Sequence, residues 1–186
     1  MIKTKKDLKQ YLYEDRLANG LYKISPFKRF IKLHFDKLIK FHTLLRYYEY
    51  HANSYNQGGY KHIIHILPLL FYFYRYKNLS YKLGFTIHKN CFKSGLCIKH
   101  YGSIVINPHC RIGNHCIIHS GVNIGEINGK APYIGNNAYI GPGAKIFGDI
   151  KIGNNVRIGA NAVVKESFPE DNLTLVGIPA RKIRRQ

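Results

Sequence analysis

Two hydrophobic rhythms divide the chain. From Ile106 an aliphatic residue recurs at every sixth position: Ile106, Ile112, Ile118 and Ile124, then Ile134, Ile140, Ile146, Ile152, Ile158 and Val164. Four places after most of these sits a compact residue, as at Cys110, Cys116, Val122, Ala138, Ala144, Val156 and Ala162. Glycine often follows the aliphatic residue directly, as at Gly113, Gly135, Gly141, Gly153 and Gly159. A helix repeats every 3.6 residues and a strand every two, so neither produces period six. A triangular solenoid does, because one short strand and its corner consume six residues and three such units close a coil. The pattern predicts a mainly β fold, a left-handed parallel β-helix of about four to five coils from about Phe85 to Ser167.

The first 83 residues follow a different rhythm. Ser25-Pro26 predicts a helix start, with a capping hydroxyl and proline at the first helical position. From Phe27, apolar residues at Phe30, Ile31, Phe35, Leu38, Phe41, Leu45 and Tyr48 fall mostly on one helical face, while Lys28, Arg29, Lys32, Lys37 and Lys40 lie largely off it. The plainer reading packs this face on its neighbours; the other docks a basic amphipathic helix on a membrane surface. Asn53 to Tyr60, containing Gly58-Gly59, reads as a loop. A second helix is predicted from about His62 to Lys82, apolar over Ile63 to Tyr74 but too short to span a bilayer. The predicted organisation is an α-helical N-terminal region, 1–83, and a β-helix region with a C-terminal tail, 84–186.

The six-residue register breaks twice. It slips between Ile98 and Ile106, around His100-Tyr101-Gly102-Ser103, and again where ten residues separate Ile124 from Ile134. The four extra residues near Glu126 to Pro132 must bulge outward, because stacked strands cannot absorb them. Breaks in a rigid scaffold are where function concentrates.

Charge narrows the partners. The chain carries 29 Lys+Arg against 10 Asp+Glu, a formal net charge of +19. The excess is spread along the chain and favours acidic or phosphate-rich partners. Cys91, Cys97, Cys110 and Cys116 fit small buried positions better than a disulfide or metal set. The charged N-terminus lacks a following apolar run, so no secretory signal is read there, and a cytoplasmic setting is expected, with peripheral contact at the inner membrane face as an option.

From about Gly84 to Arg184 these motifs resemble the hexapeptide-repeat acyltransferases, and most closely the branch containing serine O-acetyltransferase. His100-Tyr101-Gly102-Ser103-Ile104-Val105-Ile106 is similar to the family segment whose histidine is the catalytic base. Ile140-Gly141-Pro142-Gly143-Ala144-Lys145-Ile146 resembles a cofactor-binding coil, and Val176-Gly177-Ile178-Pro179-Ala180-Arg181 the terminal signature. The resemblance implies acetyl-CoA as acyl donor, no metal, and a homotrimer with its clefts between subunits. Four family positions differ. Thr86 and Lys99 stand where serine acetyltransferases have aspartates, and Lys130-Ala131 replaces their substrate-contacting Arg-His pair. This pattern is similar to the O-acetyltransferases of capsule, exopolysaccharide and O-antigen clusters. It implies a hydroxyl of a bacterial surface polysaccharide or its precursor as acceptor, and no nucleic acid partner.

Taking a proton from a hydroxyl suits a neutral imidazole, whose unperturbed pKa lies near working pH. His100 is the expected general base. His119, nineteen residues later, is one coil on and is expected near it. Glu126, from the bulging loop, is a candidate to orient the base in place of the missing aspartate. Gly125, at the mouth of that loop, offers a backbone N–H for the oxyanion. Gly141, Pro142 and Ala160 are compact enough for a pantetheine arm to lie against the backbone, and Arg157, Arg181 and Lys182 are candidate phosphate cations. His109 and His115 are expected at solvent-facing corners and His88 in a structural role. Three further readings stay open. One is a serine O-acetyltransferase. Another is a zinc protein of the γ-carbonic-anhydrase type, using His100, His115 and His119. The last is a non-catalytic membrane-docking scaffold.

Overall fold

The computed structural model describes residues 1–58 and 60–183, the side chains of 60–62 excepted. Gly59 of the expected loop and residues 184–186 of the expected second region lie outside the described residues. Helix α1 (Lys5–Ala18) leads into a 3₁₀ turn (Leu21–Lys23), then α2 (Pro26–Phe35), α3 (Lys37–Asn56), a second 3₁₀ turn (Tyr60–His65) and α4 (Ile66–Leu83). Thr4 and Asp7 start α1 with a reciprocal capping box. The helix start at Ser25-Pro26 is observed, with the Ser25 hydroxyl accepting from the Lys28 N–H.

The long apolar stripe from Phe27 to Tyr48 is not one helix. Asp36 breaks it, because its carboxylate accepts from the Leu38 and Ile39 N–H groups and so opens α3. The stripe continues across the break, which hides it from a periodicity argument. Helix α3 also runs through Asn53 to Asn56, shortening the expected loop.

Among the described residues fourteen short strands follow, numbered in chain order and sorted into three sheets. The first sheet holds β1 (Phe85–Ile87), β3 (Ile104–Ile106), β6 (Asn123–Gly125), β9 (Lys145–Phe147) and β12 (Val163–Val164). The second holds β4 (Arg111–Ile112), β7 (Tyr133–Ile134) and β10 (Lys151–Ile152). The third holds β2 (Cys97–Ile98), β5 (Ile117–Ile118), β8 (Tyr139–Ile140), β11 (Arg157–Ile158), β13 (Thr174–Val176) and β14 (Arg181–Ile183). The pairs stack in parallel, as in Ile98 on Ile118 on Ile140 on Ile158, except that β14 folds back antiparallel on β13. The result is a β-solenoid of about five turns. All ten aliphatic positions of the six-residue series are at most 2% exposed, so the period marks the inner ladder.

Asparagine fixes one corner. Between second and third sheets, the Asn114 N–H donates to Asn136 Oδ1, Asn136 N–H to Asn154 Oδ1, and Asn154 N–H to Asp171 Oδ1. The next residues, His115, Asn137, Asn155 and Asn172, all adopt positive φ, which asparagine tolerates better than most side chains. Gly135 precedes this corner, and a Cβ there would lie 2.6 Å from the Gly153 carbonyl oxygen, so only glycine lets the coils approach.

A buried ion network joins helices to solenoid. Arg46 on α3 is 0% exposed. Its Nε and Nη2 reach Asp15 at 2.7 and 3.3 Å, its Nη1 reaches Glu49 at 2.8 Å, and Nη1 and Nη2 donate to the carbonyls of Phe92 and Lys93 at 3.0 and 2.8 Å. Asp15 also accepts from the Gly95 and Leu96 N–H groups, and Glu49 from Asn90 N–H.

His42 lies beside this network, fully buried. Its Nδ1 is 3.3 Å from Asn19 Nδ2, which fits an accepting Nδ1 and a neutral ring, and its Nε2 has no partner. Burial, opposed by Asp15, pushes its pKa down to about 4. As pH falls below 6.5 the unfolded chain therefore takes up this proton first, and the folded state loses stability until about pH 4. The expected loss over that window is about 3 kcal/mol. His51, lowered to about 4 by burial and by His65, acts in the same sense but is more open to solvent. Urea titrations across this range should show His42→Phe flattening most of the slope. An unchanged slope would place the acid sensitivity elsewhere.

Candidate active site

Three sheets give three corners, and the expected site residues are divided among them. His100 lies between β2 and β3, at the corner from third to first sheet, where the slipped register lengthens the turn. The side chain is exposed. The strand register extends past each strand to align His100 with Ser120, Pro142, Ala160 and Gly177 on successive coils, a column of compact residues. His119 is displaced by one position and aligns instead with Lys99, Gly141 and Gly159. The two imidazoles are still neighbours, with ring centres 6.0 Å apart.

The surroundings of His119 favour its neutral form. Burial, then His100, then Lys99 lower its pKa. Its Nε2 is buried without a hydrogen-bond partner, leaving a ring nitrogen free beside the base. Below it the Tyr139 ring lies 5.2 Å away, and the Arg157 guanidinium sits 4.5 Å over that ring. Sequence reasoning missed Tyr139. The signal was present, since Tyr139 stands two positions before Gly141 on the coil after His119.

Gly141 cannot carry a side chain, since a Cβ would lie 2.8 Å from the Ile158 carbonyl oxygen and 2.9 Å from Ala160 N. Pro142 and Ala160 are exposed beside it. The corner therefore presents a low strip leading away from His100. Arg157 stands at its edge over the Tyr139 ring, and among the described residues no carboxylate pairs with it. Arg181 and Lys182 are drawn off by carboxylates of their own chain: Arg181 Nη1 lies 4.0 Å from Glu166 and Lys182 contacts Glu170.

Gly125 and Glu126 are elsewhere. Gly125 ends β6 and Glu126 follows it, at the corner from first to second sheet. Glu126 accepts from His109 Nδ1 at 2.7 Å instead of orienting His100. The reason is coil arithmetic: His109 and Glu126 leave the same sheet one coil apart, whereas His100 leaves another. Gly125 pairs with Phe147 and packs against its ring. Within one chain both therefore stand at a different corner from His100. The bulge itself is observed as a tight hairpin. Ile127 and Lys130 pair antiparallel around Asn128 and Gly129, at φ 52° and 77°. Lys130 Nζ bonds Asp149 at 2.9 Å, pinning the hairpin to the next coil.

His115 stands at the asparagine corner, 4.0 Å from Glu14, so His100, His115 and His119 do not converge. Among the described residues no group of three or more His, Cys, Asp or Glu side chains could hold a metal ion. His88 is half-buried, its pKa lowered by burial and by Lys77.

Residues 131–166 match the family model described as bacterial transferase hexapeptide (six repeats). No curated protein matches the sequence. Among solved structures, serine acetyltransferase from Brucella abortus strain S19 is 27% identical with a TM-score of 0.73, over 96% of this chain and 69% of that one. Serine acetyltransferase from Neisseria gonorrhoeae is 23% identical with a TM-score of 0.72, over 98% of this chain and 68% of that one. The soybean apoenzyme is 24% identical with a TM-score of 0.70, over 96% and 70%. The chain thus carries the hexapeptide repeat of bacterial transferases on a solenoid that it shares with serine acetyltransferases.

Proposed function

We propose that the protein is an acetyl-CoA-dependent O-acetyltransferase with His100 as general base. The observation that carries this is the placement of an exposed imidazole at a register break, beside His119 and at the head of a strip of compact residues. His100 takes the proton from the acceptor hydroxyl as its oxygen bonds to the thioester carbonyl carbon. The carbon–sulfur bond then breaks, and the departing thiolate receives that proton, giving an acetyl ester and free CoA. The pantetheine arm lies along Gly141, Pro142 and Ala160, with Arg157 toward the phosphates. Arg181 and Lys182 join only by leaving Glu166 and Glu170. The Glu126–His109 pair projects from another corner, and a three-fold assembly is the arrangement that would bring that corner to a neighbour's His100.

The structural neighbours favour L-serine as acceptor over the glycan hydroxyl expected from sequence, and serine is the acceptor to test first. One observation keeps the glycan as a second reading. Lys130, the cation at the position resembling the serine-contacting pair, is held by Asp149, and its neighbour is Ala131. CoA release from acetyl-CoA, measured with L-serine and with a panel of mono- and oligosaccharides, decides between them. Turnover with serine supports a role in cysteine biosynthesis, turnover only with a sugar supports the glycan, and acetyl-CoA hydrolysis or binding with neither acceptor removes both.

A further inference from the structure

Helix α2 is amphipathic, and it touches α3 and the first 3₁₀ turn without burying a residue of its own. None of its residues is buried, and Phe27 and Phe35 are each 73% exposed. With Phe30 and Ile31, also exposed, they fall on one helical face, and Lys28 and Lys32 flank it. Arg29 ties the helix at its root, donating to the Leu21 carbonyl at 3.0 Å and lying over the Tyr22 ring. A second bare stripe runs along α4 at Leu67, Leu70, Phe71 and Tyr74. Phe35 ends α2 two residues before Lys37. Lys37 and Lys40 border a groove of about 640 Å³ with Phe71, Tyr74, Arg75 and Lys82. Single exposed apolar residues are ordinary in proteins, but two exposed helical stripes are not.

Charge identifies the occupant. Residues 21–83 contain 11 Lys and Arg and only two acids, Asp36 and Glu49. Glu49 is buried against Arg46, and Asp36 is engaged in capping α3. Nothing acidic is left to answer the exposed cations, so a second copy of this face would meet it with like charge. We infer that α2, with the exposed stripe of α4, docks the protein on an anionic bilayer surface, with the phenylalanines in the headgroup boundary and the lysines on lipid phosphates. No described helix is long and apolar enough to cross a membrane, so the contact is in-plane. This inference stands whether or not the acceptor assignment does.

The test is co-sedimentation of the full chain with vesicles of phosphatidylcholine alone or with about 30 mol% phosphatidylglycerol. Binding to the anionic vesicles, weakened by salt, is expected. Phe27→Ser/Phe30→Ser/Phe35→Ser and, separately, Lys28→Glu/Lys32→Glu should each weaken it at least about tenfold. Because α2 buries nothing, both variants should keep the wild-type circular dichroism spectrum. The inference is overturned by a wild-type chain that stays in solution, by equal binding to neutral vesicles, or by variants that bind as before. Concentration-dependent self-association that the serine variant abolishes, without vesicle binding, would assign the face to a second copy.

Discussion

His100→Ala should slow CoA release in the presence of acceptor by about 10²- to 10⁴-fold, the worth of a positioned general base. Acetyl-CoA binding should change little, because the strip that receives the pantetheine arm lies on later coils, at Gly141, Pro142 and Ala160. The loss should therefore appear in kcat and not in the acetyl-CoA KM, the signature of an interaction made only in the transition state. His119→Ala should give a smaller loss. Its ring is beside the base, with ring centres 6.0 Å apart, and its pKa is lowered by burial and by His100, so it supports without carrying the proton. Retention of wild-type turnover by His100→Ala would sink the assignment. A comparable loss in acetyl-CoA binding would instead mean that His100 holds the donor.

The solenoid was legible because period six has one structural explanation, and each aliphatic residue of the series is an inner rung. Both register breaks were legible for the same reason: a fixed period exposes every insertion. The corner to which each break belongs was harder to read. Counting sheets as well as coils would have separated Glu126 from His100 and joined it to His109, since residues interact across coils only when they leave the same sheet. The helical region was less legible. A helical stripe records which residues are apolar, not what covers them, so the same stripe runs through the packed Phe41 and Leu45 of α3 and the uncovered Phe27 and Phe35 of α2. A carboxylate at Asp36 that divides the stripe leaves its period intact. Arg46 and Glu49 were invisible because charged residues normally mark a solvated face, and their partner Asp15 is distant in sequence.

Arg46→Ala is expected to lower the free energy of unfolding by about 3–5 kcal/mol, a large share of the 5–15 kcal/mol that typically holds a domain together. Burial opposes a charge at Arg46, but Asp15 and Glu49 outweigh it and keep the guanidinium protonated, raising its pKa. Truncation leaves both carboxylates buried without their cation and strips the Phe92 and Lys93 carbonyls of donors. Arg46→Lys should fall between, because an ammonium keeps the charge but cannot supply the five hydrogen bonds that run from Arg46 to four residues. Urea titration of the three proteins measures the order, and an Arg46→Ala midpoint equal to wild type would refute it. The consequence reaches the site. Asp15 holds the Gly95 and Leu96 N–H groups, and β2 then carries the chain directly to Lys99 and His100. Loosening the clamp frees the first coil on which the base is mounted. Arg46→Ala should therefore lose turnover at urea concentrations where the wild type is still active, while the inner isoleucine ladder of later coils remains folded.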